Sequence, residues 1–260
     1  MAQVPLHSRA SDALLNVAIG GVTGAFTAAI HRTSVWTGLQ RGSAGGLVMA
    51  AGKQFVDFRF HRAGFVGREI SGVGTSLVAA GGDSAIEYLL PVGPATIVIL
   101  PNRSLDWRLN VSESISTIGL MVSPNTRLDL SRSLSTGAPV YRDRRWHFGE
   151  SGEFELAGAE GLGTIRLAPE ALGPSRKLRH EILAHETIHV LQEDFVNDAI
   201  GLPIERELLH QTQFGRLFAR HLDVGLLIPI SVQIIAPELS YQHRPWEQEA
   251  FSLTGGKMPK

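Results

Sequence analysis

Between positions 11 and about 90 apolar residues run with small ones and no period-two alternation, the pattern of packed helices rather than strands. Three segments of helical length emerge, 11–32, 34–61 and 67–90. Each carries glycines, among them Gly20, Gly21 and Gly24 in the first and Gly38, Gly42, Gly45, Gly46 and Gly52 in the second. Glycine inside a helix costs up to about 1 kcal/mol against alanine, so close helix–helix approach through small residues is expected to offset it. From position 92 the pattern changes. Pro91, Gly93, Pro94 and Pro101 punctuate a β-branched run at 95–100, and 105–111 alternates apolar with polar. Strands are also expected at 115–122, 127–130, 140–142 and 163–167, giving a small, mostly antiparallel sheet. A long helix follows from about 176, with Ser175 as N-cap, to about 200, where Gly201-Leu202-Pro203 stops it. Another is expected over 204–221, an apolar stretch fills 222–236, and a short helix starts at Pro245. The fold class is therefore α+β. Glycine-rich helices occupy 1–91, and a sheet with a helical C-terminal part occupies 92–260.

Composition narrows this further. The 260-residue chain has a formal net charge of −1, so no bulk attraction to nucleic acid is expected. It contains no cysteine, which excludes disulfides and thiolate metal sites and leaves histidine and carboxylate as the strong ligands. Residues 13–30 are uncharged and just long enough to span a bilayer, but Asn16, three glycines and two threonines weaken that reading. Asp12 also stands where a signal peptide would carry positive charge. Residues 11–90 are expected either to pack as a soluble helical unit or to contact a membrane.

The chemistry concentrates in His185-Glu186-Thr187-Ile188-His189 on the long helix. At about 100° per residue, two histidines four apart share a face, and both ring nitrogens can reach one metal ion. Glu186 stands beside the first of them, where a carboxylate can act as base toward water. A third protein ligand is needed, and without cysteine it must be His, Glu or Asp.

The motif and its helix resemble the zinc metallopeptidases of the zincin superfamily, in particular the gluzincin type. The resemblance is confined to about 163–252. It implies Zn2+ as cofactor, a peptide or protein as substrate, Glu186 as the catalytic base, and a glutamate from a later helix as third ligand. Glu247, followed three residues on by Ala250, fits that place, with Glu249 as the alternative; about 200° apart on a helix, only one can face the metal. The metzincin extension is disfavoured, because its glycine and histidine positions hold Gln192 and Phe195. Around the site, Glu181 is a candidate to accept the free N–H of His185, and Gln192 to line the cleft. Tyr241, His243 and Arg244 are candidates to stabilise a transition state, and His210 and His221 are reserve ligands. The strand at 163–167 could offer a free edge to a substrate backbone. A zinc-dependent hydrolase is the expectation; the rival is a membrane-associated binding or structural protein with a non-catalytic zinc site.

Overall fold

The computed structural model describes residues 9–56, 64–83, 85–93, 95–145, 158–161, 163–169, 176–201, 203, 204, 207 and 245–254. Three antiparallel helices come first: α1 (Arg9–Ile30), α2 (Val35–Phe55) and α3 (Gly64–Ala79). Ser34 caps α2 by accepting the Thr37 N–H at 3.3 Å. The glycines form two seams. Gly20 and Gly24 of α1 face Gly38, Gly42 and Gly46 of α2, and any Cβ there would come within 3.0 Å of the opposing backbone. Between α2 and α3, a Cβ on Gly45 or Gly74 would sit 2.5 Å from the other's carbonyl oxygen, and Gly52 and Gly67 repeat the contact. Glycine's propensity cost is thus offset by backbone-to-backbone packing that no other residue permits.

The expected third helix does not reach Leu90. It ends at Ala79, and Gly81 turns the chain with φ +54°. Residues Tyr88–Val92 then form strand β1, which lies back along α3 with Leu89 N–H donating to the buried Ser76 hydroxyl at 2.7 Å. β1 pairs antiparallel with β2 (Ala95–Ile99), and β2 with β3 (Leu105–Leu109). The boundary expected at 91/92 therefore falls within β1, one strand of a hairpin.

A second correction concerns 115–122, which is helical rather than extended: α4 spans Val111–Val122. Its start is a reciprocal cap. Asn110 accepts the Glu113 N–H at 3.0 Å, and its amide donates to the Glu113 carboxylate at 2.6 Å. After β4 (Thr126–Leu128) comes α5 (Leu130–Thr136), capped by Asp129 and closed by Gly137 at φ +76°. The second sheet adds β5 (Val140–Asp143), β6 (Gly158–Gly161) and β7 (Thr164–Leu167) in the order β4-β5-β7-β6. It is mixed, since β5 and β7 run parallel. β7 is also an interior strand between β5 and β6, so the free edge expected at 163–167 does not exist.

Helix α6 (Arg176–Phe195) runs through the middle and continues into a π-helical turn, Val196–Gly201. On one side Ile182, Leu183 and Val190 pack on Val140, Ile165 and Leu167 of the sheet. On the other, Ala184, Ile188 and Leu191 meet Val56 and, from α7 (Pro245–Thr254), Ala250 and Leu253. Phe195 and Ala199 close against Met49 and Val78 of the glycine-rich helices. Leu183, Thr187, Val190 and Leu191 of α6 are all buried. The helix expected over 204–221, its His210 and His221, and the stretch 222–236 lie largely or wholly outside the described residues.

Candidate metal centre

Three donors converge where α6 meets α7. His185 Nε2 and His189 Nε2 lie 3.1 Å apart, and Glu247 Oε2 is 3.1 Å from the first and 3.2 Å from the second. His185 and Glu247 are buried, and His189 nearly so. Four-residue spacing along α6 brings the two rings together edge to face, 4.7 Å between centroids. Pro245 starts α7 and puts Glu247 in its first turn, while Ala250, fully buried, lets α6 approach. The two carboxylates part in space: Glu247 lies against the histidines, and Glu249 turns toward Lys53.

The separations fit a metal ion. Ligand atoms at about 2.0–2.1 Å from a tetrahedral centre stand roughly 3.3 Å from one another, close to the three distances observed. His185, His189 and Glu247 form the group that could hold such an ion, with a fourth tetrahedral position left over for another ligand. Burial pulls the His189 pKa down, but the hydrogen bond and charge of Glu247, aided by the charge of Glu186, push it up to about 8. A metal there would take the place of that ring proton. Glu186 is itself buried on the same turn of α6.

Around the donors the sequence expectations divide. Glu181 does not take the free N–H of His185: among the described residues Nδ1 has no hydrogen-bond partner. The ring instead lies against Phe251, 4.5 Å between centroids. Gln192 is half-buried and does not simply line a cleft. Its Oε1 is 2.7 Å from His189 Nδ1, and its Nε2 donates to the Trp246 carbonyl at 3.1 Å and to Glu249 at 2.8 Å. Tyr241, His243 and Arg244 lie outside the described residues.

The structure also adds residues that the motif did not point to. Lys53, 3% exposed, binds both oxygens of Glu249 at 2.7 and 2.8 Å, and Asn16 donates to Glu249 at 2.6 Å. Burial alone would raise the Glu249 pKa; Lys53, Asn16 and Gln192 outweigh it and hold the carboxyl below its ordinary value. The Ser252 hydroxyl donates to Asp12, tying α7 to α1 a second time. One signal in the sequence was Asn16 itself, the polar residue that spoils the 13–30 stretch as a membrane span. Comparison of the chain with protein-family models, with curated proteins and with solved structures finds no match.

Proposed function

We propose that the chain is a zinc-dependent hydrolase acting on peptide bonds. The observation that carries this is the convergence of His185, His189 and Glu247 within 3.2 Å, with Glu186 buried on the same turn. Zinc bound there would supply Lewis acidity to a substrate carbonyl and bring the pKa of water down to about 7. Glu186 then takes the proton of the attacking water and passes it to the leaving amine. His185, His189 and Glu247 hold the ion through three protein donors, which suits a catalytic rather than a closed structural site. The test is metal analysis of the purified protein together with cleavage of a peptide library. Glu186→Gln is expected to keep stoichiometric zinc and lose turnover; parent-like cleavage by that variant would show the base to be misassigned.

A second observation favours membrane contact for the same molecule. In α1 the buried side chains are polar or small, including Asp12, Asn16, Thr23 and Thr27, whereas Leu14, Val22 and Phe26 face outward. Leu14 and Val22 are 69% and 68% exposed, and Trp36 and Leu47 of α2 are exposed as well. At 1.5 Å per residue, the 22 residues of α1 measure about 33 Å, close to the roughly 30 Å of a bilayer core. By length and composition α1 could cross a membrane. Vesicle flotation checks this: the parent is expected to float, and Leu14→Ser/Val22→Ser/Phe26→Ser to stay in solution. Flotation with neither zinc nor cleavage would instead support a membrane-associated binding protein.

A further inference from the structure

We infer that Lys53 and Asn16, on the glycine-rich helices, are positioning residues of the metal centre: through Glu249 and Gln192 they fix which nitrogen of His189 carries its proton. The inference rests on the metal reading above and deepens it.

The direction of every hydrogen bond along this chain of groups is set by chemistry. Trp246 O and a Glu249 carboxylate oxygen can only accept, and both face the same end of the Gln192 amide, at 3.1 and 2.8 Å. That end must be the NH₂ group. The amide oxygen therefore faces His189 Nδ1 at 2.7 Å, and since it only accepts, Nδ1 must carry the hydrogen. The Nε2 lone pair is thereby left pointing at His185 Nε2 and Glu247 Oε2, where an ion would sit.

What keeps Glu249 in place lies 196 and 233 residues away in sequence, at Lys53 and Asn16. Lys53 donates to both carboxylate oxygens and also to Asn16 Oδ1 at 2.8 Å. With its oxygen so engaged, Asn16 turns its NH₂ to Glu249 at 2.6 Å and to the Asp12 carbonyl at 2.8 Å. Each link is a donor meeting an acceptor, and both arms converge on the Glu249 carboxylate: Lys53 and Asn16 donate to it from one side, and His189 donates to Gln192, which donates to it from the other. Glu249→Gln replaces the charged one of the two obligate acceptors with a group that can also donate, so that the Trp246 carbonyl alone opposes turnover of the Gln192 amide and a share of molecules can present NH₂ to Nδ1. The His189 proton then belongs on Nε2, the atom the ion needs. Lys53→Met removes two of the three contacts that hold Glu249 against Gln192 and leaves the one from Asn16.

The test uses two readouts on the whole protein. Nitrogen-15 NMR of His189, metal-free and at a pH above 9 where the ring is neutral, is expected to show the Nδ1–H tautomer in the parent. Glu249→Gln, Lys53→Met and the neutral pair Lys53→Met/Glu249→Gln are each expected to show a substantial Nε2–H population. Zinc affinity, read by competition with a chromophoric chelator, should fall about 10- to 100-fold in the same variants. Where either single variant does not fold, the neutral pair Lys53→Met/Glu249→Gln, which buries no unpaired charge, decides. Folded variants with the parent's tautomer and a zinc Kd within about twofold would overturn the inference. If the parent itself binds no zinc, the hydrolase proposal fails, and the tautomer measurement alone still decides whether Lys53 and Glu249 set the His189 proton.

Discussion

Glu247 and Glu249 are two residues apart and both buried, yet they should fail in opposite ways when truncated to alanine. Glu249→Ala strands the Lys53 ammonium, 3% exposed, with Asn16 Oδ1 as the remaining partner among its contacts described above. Breaking a buried ion pair by removing one member costs about 3–5 kcal/mol. At about 2–4 °C per kcal/mol for a chain of this size, Tm should fall by roughly 10 °C. Glu247→Ala strands no permanent cation, because the His189 ring it faces can shed its proton, so its Tm without metal should stay within a few degrees of the parent. The response to zinc has the opposite order. A ligand at about 100 times its Kd stabilises by about 2.7 kcal/mol, so the parent should gain about 5–10 °C. Glu249→Ala should still gain at saturating zinc, while Glu247→Ala should gain nothing at the concentration that saturates the parent. Thermal unfolding of the three proteins by circular dichroism, with chelator and then with zinc, reads each of these shifts. A Glu247→Ala protein that keeps the zinc shift, beside a parent-stable Glu249→Ala protein that loses it, would mean the two carboxylates have been assigned the wrong way round.

Other consequences are equally open to measurement. Gly42→Ala places a methyl group against the α1 backbone and should destabilise by about 1–3 kcal/mol, whereas Gly119→Ala on α4 meets nothing within 4 Å. The latter gains up to about 1 kcal/mol of helix propensity, so thermal melts should move in opposite directions. Glu113 is buried, and its pKa is raised well above the usual carboxylate range by that burial and by Glu193, Asp194 and Asp198, against the pull of Arg68. The folded state therefore holds this proton more tightly than the unfolded one, and stability falls as pH rises from the ordinary glutamate value through the folded pKa. Glu113→Gln should flatten that fall and raise Tm at neutral pH, as pH-dependent melts would show.

Where a feature is local, it was readable in advance. The two histidines needed only helical periodicity. Local signals were also misread. Residues 115–122 are apolar and β-rich enough to suggest a strand, but Asn110 and Glu113 spell a helix cap that outweighs propensity. Pro91 looked like a terminator and is instead part of β1. The interior place of β7 depends on its partners, β5 and β6, and no single strand announces its neighbours. Likewise the sequence left Glu247 and Glu249 to be separated by the resemblance and by rotation about a helix, because what turns Glu249 away is a lysine 196 residues distant.

His189 and Glu247 are 58 residues apart, and Asn16 and Glu249 are 233 apart. A chain growing from its amino end displays both imidazoles while the carboxylate that completes the set has yet to be made. The three-donor cluster comes into being only when α7 docks against α6 and the glycine-rich helices together. Chain order thus acts as a timer: whatever reactivity the centre has is withheld from the nascent polypeptide and released only to the finished fold.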